Sequence, residues 1–155
     1  MEPRVWPAKA EDIEHVAALI AAFRSWWGKD EPTLEQIRET MAVLIDDPNT
    51  EFLLAAPGDG APPAGVCQLR YRLSVWTGAD DCWLEDLYVD ESARGSGLGR
   101  ALVNTAFERA RQRGCLRMEL DVNEQNAAAI AFYESLGFTT EPKPPGRTLF
   151  VGRKL

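Results

Sequence analysis

The segment Leu84-Glu85-Asp86-Leu87-Tyr88-Val89-Asp90-Glu91-Ser92-Ala93-Arg94-Gly95-Ser96-Gly97-Leu98-Gly99-Arg100 constrains this chain more than any other. An apolar, strand-like run ends at Val89, and a polar turn follows. A helical pattern then begins at once, with Leu98, Ala101, Leu102, Ala106 and Ala110 at i, i+3 and i+4 spacing. A strand, a glycine turn and a helix in succession aim several backbone N–H groups and a positive dipole end at one point. The glycines permit positive φ and remove side chains, so a phosphate can approach the backbone closely. The turn therefore reads as a diphosphate cradle.

The rest of the chain can be placed around it. Arg4 to Pro7 fits a short edge strand. From about Ala10 to Trp27, the residues Ile13, Val16, Ala17, Ile20, Phe23 and Trp27 share a helical face. Thr33 and Gln36 have capping-box spacing and open a second helix, striped by Leu34, Ile37, Met41, Leu44 and Ile45. Glu51 to Ala56, Ala64 to Leu73 and Cys82 to Val89 read as three strands of a meander. The helix after the glycine turn runs to Gly114, and Leu116 to Val122 follows as a strand in a β-α-β, hence parallel, relation. Asn126 caps a short helix that ends at Leu136-Gly137. Phe138 to Thr140 and Thr148 to Lys154 read as the last strands, joined by Glu141-Pro142-Lys143-Pro144-Pro145-Gly146. The expectation is a single α/β domain over residues 1–155. It has a mixed sheet of six to seven strands and about four helices, and the sheet splays between the strand at 82–89 and the strand at 116–122.

Composition removes several function classes. A net charge of −7 argues against nonspecific nucleic-acid binding, which needs a basic face, and it favours cationic partners. No apolar run reaches the roughly 18 residues of a membrane span. Met1 to Trp6 lacks the basic-then-apolar layout of a secretion signal. Cys67, Cys82 and Cys115 are far apart and read as reduced, strand-borne small residues, so a cytoplasmic protein is expected. His15 is the one histidine, set in an amphipathic helix, and it leaves too few ligands for a catalytic metal site.

The glycine turn departs from two common phosphate motifs. A Walker-type loop needs Lys-Ser or Lys-Thr after its last glycine, and here Gly99 precedes Arg100-Ala101. A dinucleotide fingerprint needs two residues between its second and third glycines, where only Leu98 stands. Arg94 adds a cation directly before the glycines. Downstream, Asn126, Ala129, Tyr133 and Gly137-Phe138 stand at fixed spacings. With these residues the chain resembles the GNAT superfamily of acyl-CoA-dependent N-acetyltransferases. That family's Arg/Gln-x-x-Gly-x-Gly/Ala motif is matched by Arg94, Gly97 and Gly99. Its later motif, an asparagine followed by an alanine-bearing helix, Phe-Tyr and Leu-Gly-Phe, is matched by Asn126, Ala129, Tyr133, Gly137 and Phe138. The close match covers about Leu84 to Phe138.

The resemblance implies acetyl-CoA as acyl donor and no metal. It places the cofactor diphosphate on the backbone of Arg94, Gly95, Ser96, Gly97, Leu98 and Gly99, leading into Arg100. It places the pantetheine arm along the backbone of Leu87, Tyr88 and Val89, with Asn126 as a further contact or simply a helix cap. Glu85 occupies the strand position of a family glutamate and is a candidate base, or else a solvated carboxylate or substrate anchor. Strand alternation points Asp86 to the opposite face. Tyr133 matches the tyrosine given the role of stabilising the departing thiolate. A covalent route through Cys82 or Cys115 is disfavoured, because no neighbouring His or Lys depresses either thiol.

In this family the connection between the first two helices walls the acceptor site. Here it carries Trp26, Trp27 and Glu31, which suit an organic cation. The expected partner is therefore a small-molecule amine, with a protein lysine or N-terminus as the alternative acceptor and no nucleic-acid or membrane partner. Family members are often homodimers, although no exposed stripe here demands one. The rival from another class is a non-catalytic acyl-CoA-binding module, and a further one is a dinucleotide-binding protein.

Overall fold

The computed structural model describes residues 2–140, 145, 146 and 149–155. They divide into two compact units, residues 1–120 and 121–155.

In the first unit a sheet of order β1-β2-β3-β4-β5 is built from Arg4–Pro7, Thr50–Ala56, Gly65–Leu73, Asp80–Val89 and Met118–Glu119. The first four strands are antiparallel neighbours, and β5 joins β4 in parallel. Helices α1 (Ile13–Trp26) and α2 (Leu34–Leu44) cover one face, and α3 (Leu98–Gln112) covers the other. The two faces are set by alternation along β2 and β3. Phe52, Leu54 and Val66 meet Val16, Ala17, Ile37 and Met41 of α1 and α2. On the reverse side a methyl built on Gly65 would stand 3.0 Å from Leu102 of α3.

The capping box of α2 forms as the sequence implies: Gln36 N donates to Thr33 Oγ1 at 3.2 Å, and Thr33 N donates to Gln36 Oε1 at 2.9 Å. The arginines near the end of α3 do more than complement its dipole. Arg109 donates through Nε to Glu51 of β2 at 3.0 Å, and Arg113 clasps Asp80, Pro48 and Asn49.

Strand β4 contains one residue more than its partner. Gln68 faces Asp86 and Leu69 faces Leu84, so Glu85 has no partner on β3. This bulge reverses the alternation that simple periodicity assigns. Cys82, Leu84, Leu87 and Val89 lie on the α3 side, whereas Asp81, Trp83, Asp86 and Tyr88 lie on the side of α1 and α2. The expectation that Glu85 and Asp86 point to strictly opposite faces rested on an unbroken strand, which β4 is not.

The second unit holds α4, Ala127–Ser135. The expected six to seven strands are corrected to a five-stranded sheet among the described residues. The strand expected at 116–122 shortens to Met118–Glu119. Residues 138–140 are not a strand, because they complete the end of α4: Phe138 N donates to Tyr133 O at 3.1 Å and Thr140 Oγ1 donates to Glu134. Residues 149–154 have strand-like composition but form no ladder and are largely exposed, with Phe150 at 89%. Strand propensity needs a partner edge to become a strand. Most of the Pro-rich connection and Thr148 lie outside the described residues.

Candidate functional site

The turn between β4 and α3 is built in layers. Asp90 Oδ1 accepts from Ser92 N at 3.0 Å and Ser92 Oγ at 2.6 Å, which turns the chain out of the strand. These bonds hold the Asp90 carboxyl below the usual carboxylate range. Gly95 and Gly97 then take φ of +77° and +85°, and Gly97 caps α3. A methyl built on either would meet nothing within 4 Å, so the space over both is open.

Among the described residues, the N–H groups of Gly95, Ser96, Gly97, Leu98 and Gly99 have no acceptor, and the first helical bond is Ala101 N to Gly97 O at 3.0 Å. Leu98 anchors this turn as a core residue, 1% exposed. Ser96 Oγ donates to Ala93 O and so is committed to the turn itself. Arg100 is exposed in the first turn of the helix.

Arg94 occupies its motif position with a different posture from a free cation. Its Nε donates to Val89 O at 3.1 Å, and its guanidinium lies over the rings of Trp26 and Tyr88 at 5.5 and 5.8 Å. It braces the turn against the end of β4. Tyr88 in turn stacks on Phe23 at 5.3 Å, and Phe23 contacts Trp26 and Trp27, which meet edge to face at 4.9 Å. An aromatic cluster thus ties the end of α1 to the end of β4. Trp26 and Trp27 remain 44% and 54% exposed, and Glu31 is exposed beyond them.

Pairing between β4 and β5 covers only Cys82–Met118 and Trp83–Glu119. Leu87, Tyr88 and Val89 therefore have β3 on one side and no strand on the other among the described residues. Val89 O is already engaged by Arg94. Glu85, the bulge residue, is exposed in a depression of about 390 Å³ that also holds Arg70, Arg72 and Trp83. The two arginines escaped the sequence reading, although the signal was there: Arg70-Tyr71-Arg72 puts two guanidiniums on one face of a strand.

Burial raises all three thiols, that of Cys82 to about 12, which leaves them poor nucleophiles. No cluster of potential metal ligands is present among the described residues. No helix among them is long and apolar enough to cross a membrane.

In the second unit, Asn126 Oδ1 accepts from Ala129 N at 3.1 Å, so this side chain is a helix cap. Tyr133 packs edge-on against Phe132 and Phe138 at 5.3 and 5.6 Å, and its carbonyl accepts from Leu136 N and Phe138 N.

The acetyltransferase (GNAT) family matches residues 14–138. The chain is 37% identical over 134 residues to mycothiol acetyltransferase of Beutenbergia cavernae, across 84% of this chain and 42% of that protein. It is 37% identical over 90 residues to thialysine N-epsilon-acetyltransferase of Sus scrofa, across 55% of this chain and 51% of that one. It thus spans about half the length, or less, of these two relatives. A provisionally assigned acetyltransferase from Arthrobacter sp. FB24 superposes with a TM-score of 0.85 at 30% identity, covering 100% of this chain and 96% of that structure. With the glycine turn between β4 and α3 in place and the match running over most of its length, the chain belongs to the acetyltransferase (GNAT) family.

Proposed function

We propose that this chain transfers an acetyl group from acetyl-CoA to the primary amine of a small acceptor, by direct attack while both are bound. One observation carries the reading: the consecutive amides of Gly95 to Gly99, at the positive end of α3, have no acceptor among the described residues. Unpaired amides beside a helix N-terminus suit a diphosphate. The open space over Gly95 and Gly97 is what a phosphate group would need. The edge of Leu87 to Val89 away from β3, apart from the Val89 carbonyl that Arg94 holds, offers backbone groups to the pantetheine amides.

Bound acetyl-CoA would supply an activated thioester. The amine must be neutral to attack, and Glu85 can remove its proton directly or through water. Glu85 is exposed at the bulge, where its carboxylate is open to a bound acceptor. Tyr133 fits the role of hydrogen-bonding the departing thiolate sulfur. Trp26, Trp27 and Glu31 would receive the cationic end of the acceptor, and Asn126 would act through its cap at the start of α4. The raised thiols favour direct transfer over an acyl-cysteine route. Free cysteines suit a reducing compartment, in keeping with a cytoplasmic enzyme. The thialysine acetyltransferase relative is named for a small amine of this kind.

A thermal-shift comparison tests the donor. Acetyl-CoA should raise Tm at concentrations where NAD and NADP do not. Consumption of acetyl-CoA across an amine panel tests the transfer. Binding without turnover on any amine would support the regulatory-module reading instead.

A further inference from the structure

Strands β3 and β4 present Val66, Gln68, Arg70 and Arg72, with Tyr88, Asp86, Trp83 and Asp81, to the side of α1 and α2. The helices cover only the Val66–Tyr88 end. The opposite end is the open depression shared by Arg70, Arg72, Trp83, Asp81, Glu119 and Glu85. Its ion pairing is lopsided. Arg117 takes both oxygens of Asp81, at 3.1 and 3.0 Å, and reaches Glu119 at 3.3 Å. This pairing depresses the Asp81 carboxyl.

Arg70 and Arg72 are exposed and make no ion pair with a described carboxylate, although the chain carries a net charge of −7. They stand on the same face of β3, roughly 7 Å apart. Two neighbouring guanidiniums repel one another, and a planar oxyanion bound in their forks relieves that repulsion. Exposed arginines are often merely solvated. This pair differs in sharing its depression with the unpaired bulge residue Glu85, which lies two positions along β4 from Trp83, the partner of Arg70.

We infer that the acceptor carries an anionic group, a carboxylate or a phosphate, that Arg70 and Arg72 hold while its amine lies at Glu85. The inference rests on the acetyl-transfer reading and narrows it, from any small amine to one that bears charge of both signs. The arginines are binding and specificity residues and take no part in proton transfer. The strand spacing between the Arg70 level and Glu85, roughly 7 Å, suits an amine and an anion at opposite ends of a short molecule.

The test uses matched acceptors that differ only in the anion: lysine against lysine amide, and glucosamine 6-phosphate against glucosamine. Each is titrated calorimetrically into CoA-saturated protein, wild type and the Arg70→Gln/Arg72→Gln variant, and acetyl-CoA consumption is followed in parallel. In at least one pair, the anionic member should bind about tenfold more tightly to wild type. Which pair shows it separates a carboxylate from a phosphate. The double substitution should erase that advantage and leave the neutral partner, CoA affinity and Tm unchanged. The inference is overturned if no anionic member outbinds its neutral partner, or if the variant weakens both equally. Turnover without an anionic advantage removes the subsite and leaves acetyl transfer standing. An anionic advantage that depends on the arginines, with no turnover on any amine, removes acetyl transfer and leaves the subsite.

Discussion

Gly97 and Gly137 take nearly the same backbone shape, φ of +85° and +91°, at the two kinds of helix end. Gly97 opens α3, and the amides around it have no protein acceptor. Gly137 follows α4, and every nearby group is used: Gly137 N donates to Glu134 O at 3.0 Å, Phe138 N donates to Tyr133 O, and the rings of Tyr133 and Phe138 close over the turn. This is a Schellman ending, with its apolar clasp. Positive φ alone therefore does not mark a binding turn. The destination of the amides does.

Substitution at each glycine should separate the two roles. Gly97→Ala carries the largest expected effect on function. Its methyl meets no protein atom but stands in the cradle, so beyond the backbone strain it shares with Gly137, acetyl-CoA affinity should fall roughly 10- to 100-fold, as expected for lost hydrogen bonds to a charged group. Calorimetric titration measures this, and unchanged affinity would break the contrast. Tyr133→Phe comes next. It keeps the ring packing and the carbonyl that ends α4, so acetyl-CoA affinity should hold while turnover drops roughly tenfold or more. A comparable loss of affinity would make Tyr133 a packing residue.

Gly137→Ala should cost about 1–2 kcal/mol of stability through the strained backbone alone, visible as a Tm lower by a few degrees, with donor affinity unaltered. The smallest effect is expected from Cys82→Ala. The buried thiol, raised to about 12, stays protonated at neutral pH, so kcat should not change and native Cys82 should resist alkylating reagents until the protein unfolds.

The sequence was most readable where local chemistry decides the outcome. The Thr33–Gln36 capping box, the Asn126 cap, the Gly97 start and the Gly137 stop are set by short-range geometry, and each stands where its residues placed it. The strand expected at 148–154 forms no ladder over its described residues 149–154, because an apolar, β-branched composition says nothing about whether an edge exists to receive it. The bulge in β4 was invisible for a related reason. Alternation is a property of one strand, whereas a bulge is a mismatch in length between two. Arg94 was legible as a cation near the glycines, but its clasp on Val89 O required the chain to fold back. Arg70 and Arg72 were not legible as part of a site because only the pairing of β3 with β4 sets them beside Trp83 and Asp81, in one depression with Glu85.

Glu85, the residue that has no counterpart on β3, bears on how this protein can change over time. Excising it would leave the faces as they are: Asp86 would follow Leu84 directly, still opposite Gln68, and Leu87, Tyr88 and Val89 would keep the sides they now occupy. The extra residue thus adds an exposed carboxylate to the strand without disturbing the register on either side of it. Drawing Glu85 into the ladder opposite Gln68 would be the costly change, because it would turn Tyr88 toward α3 and Leu87 and Val89 toward α1 and α2.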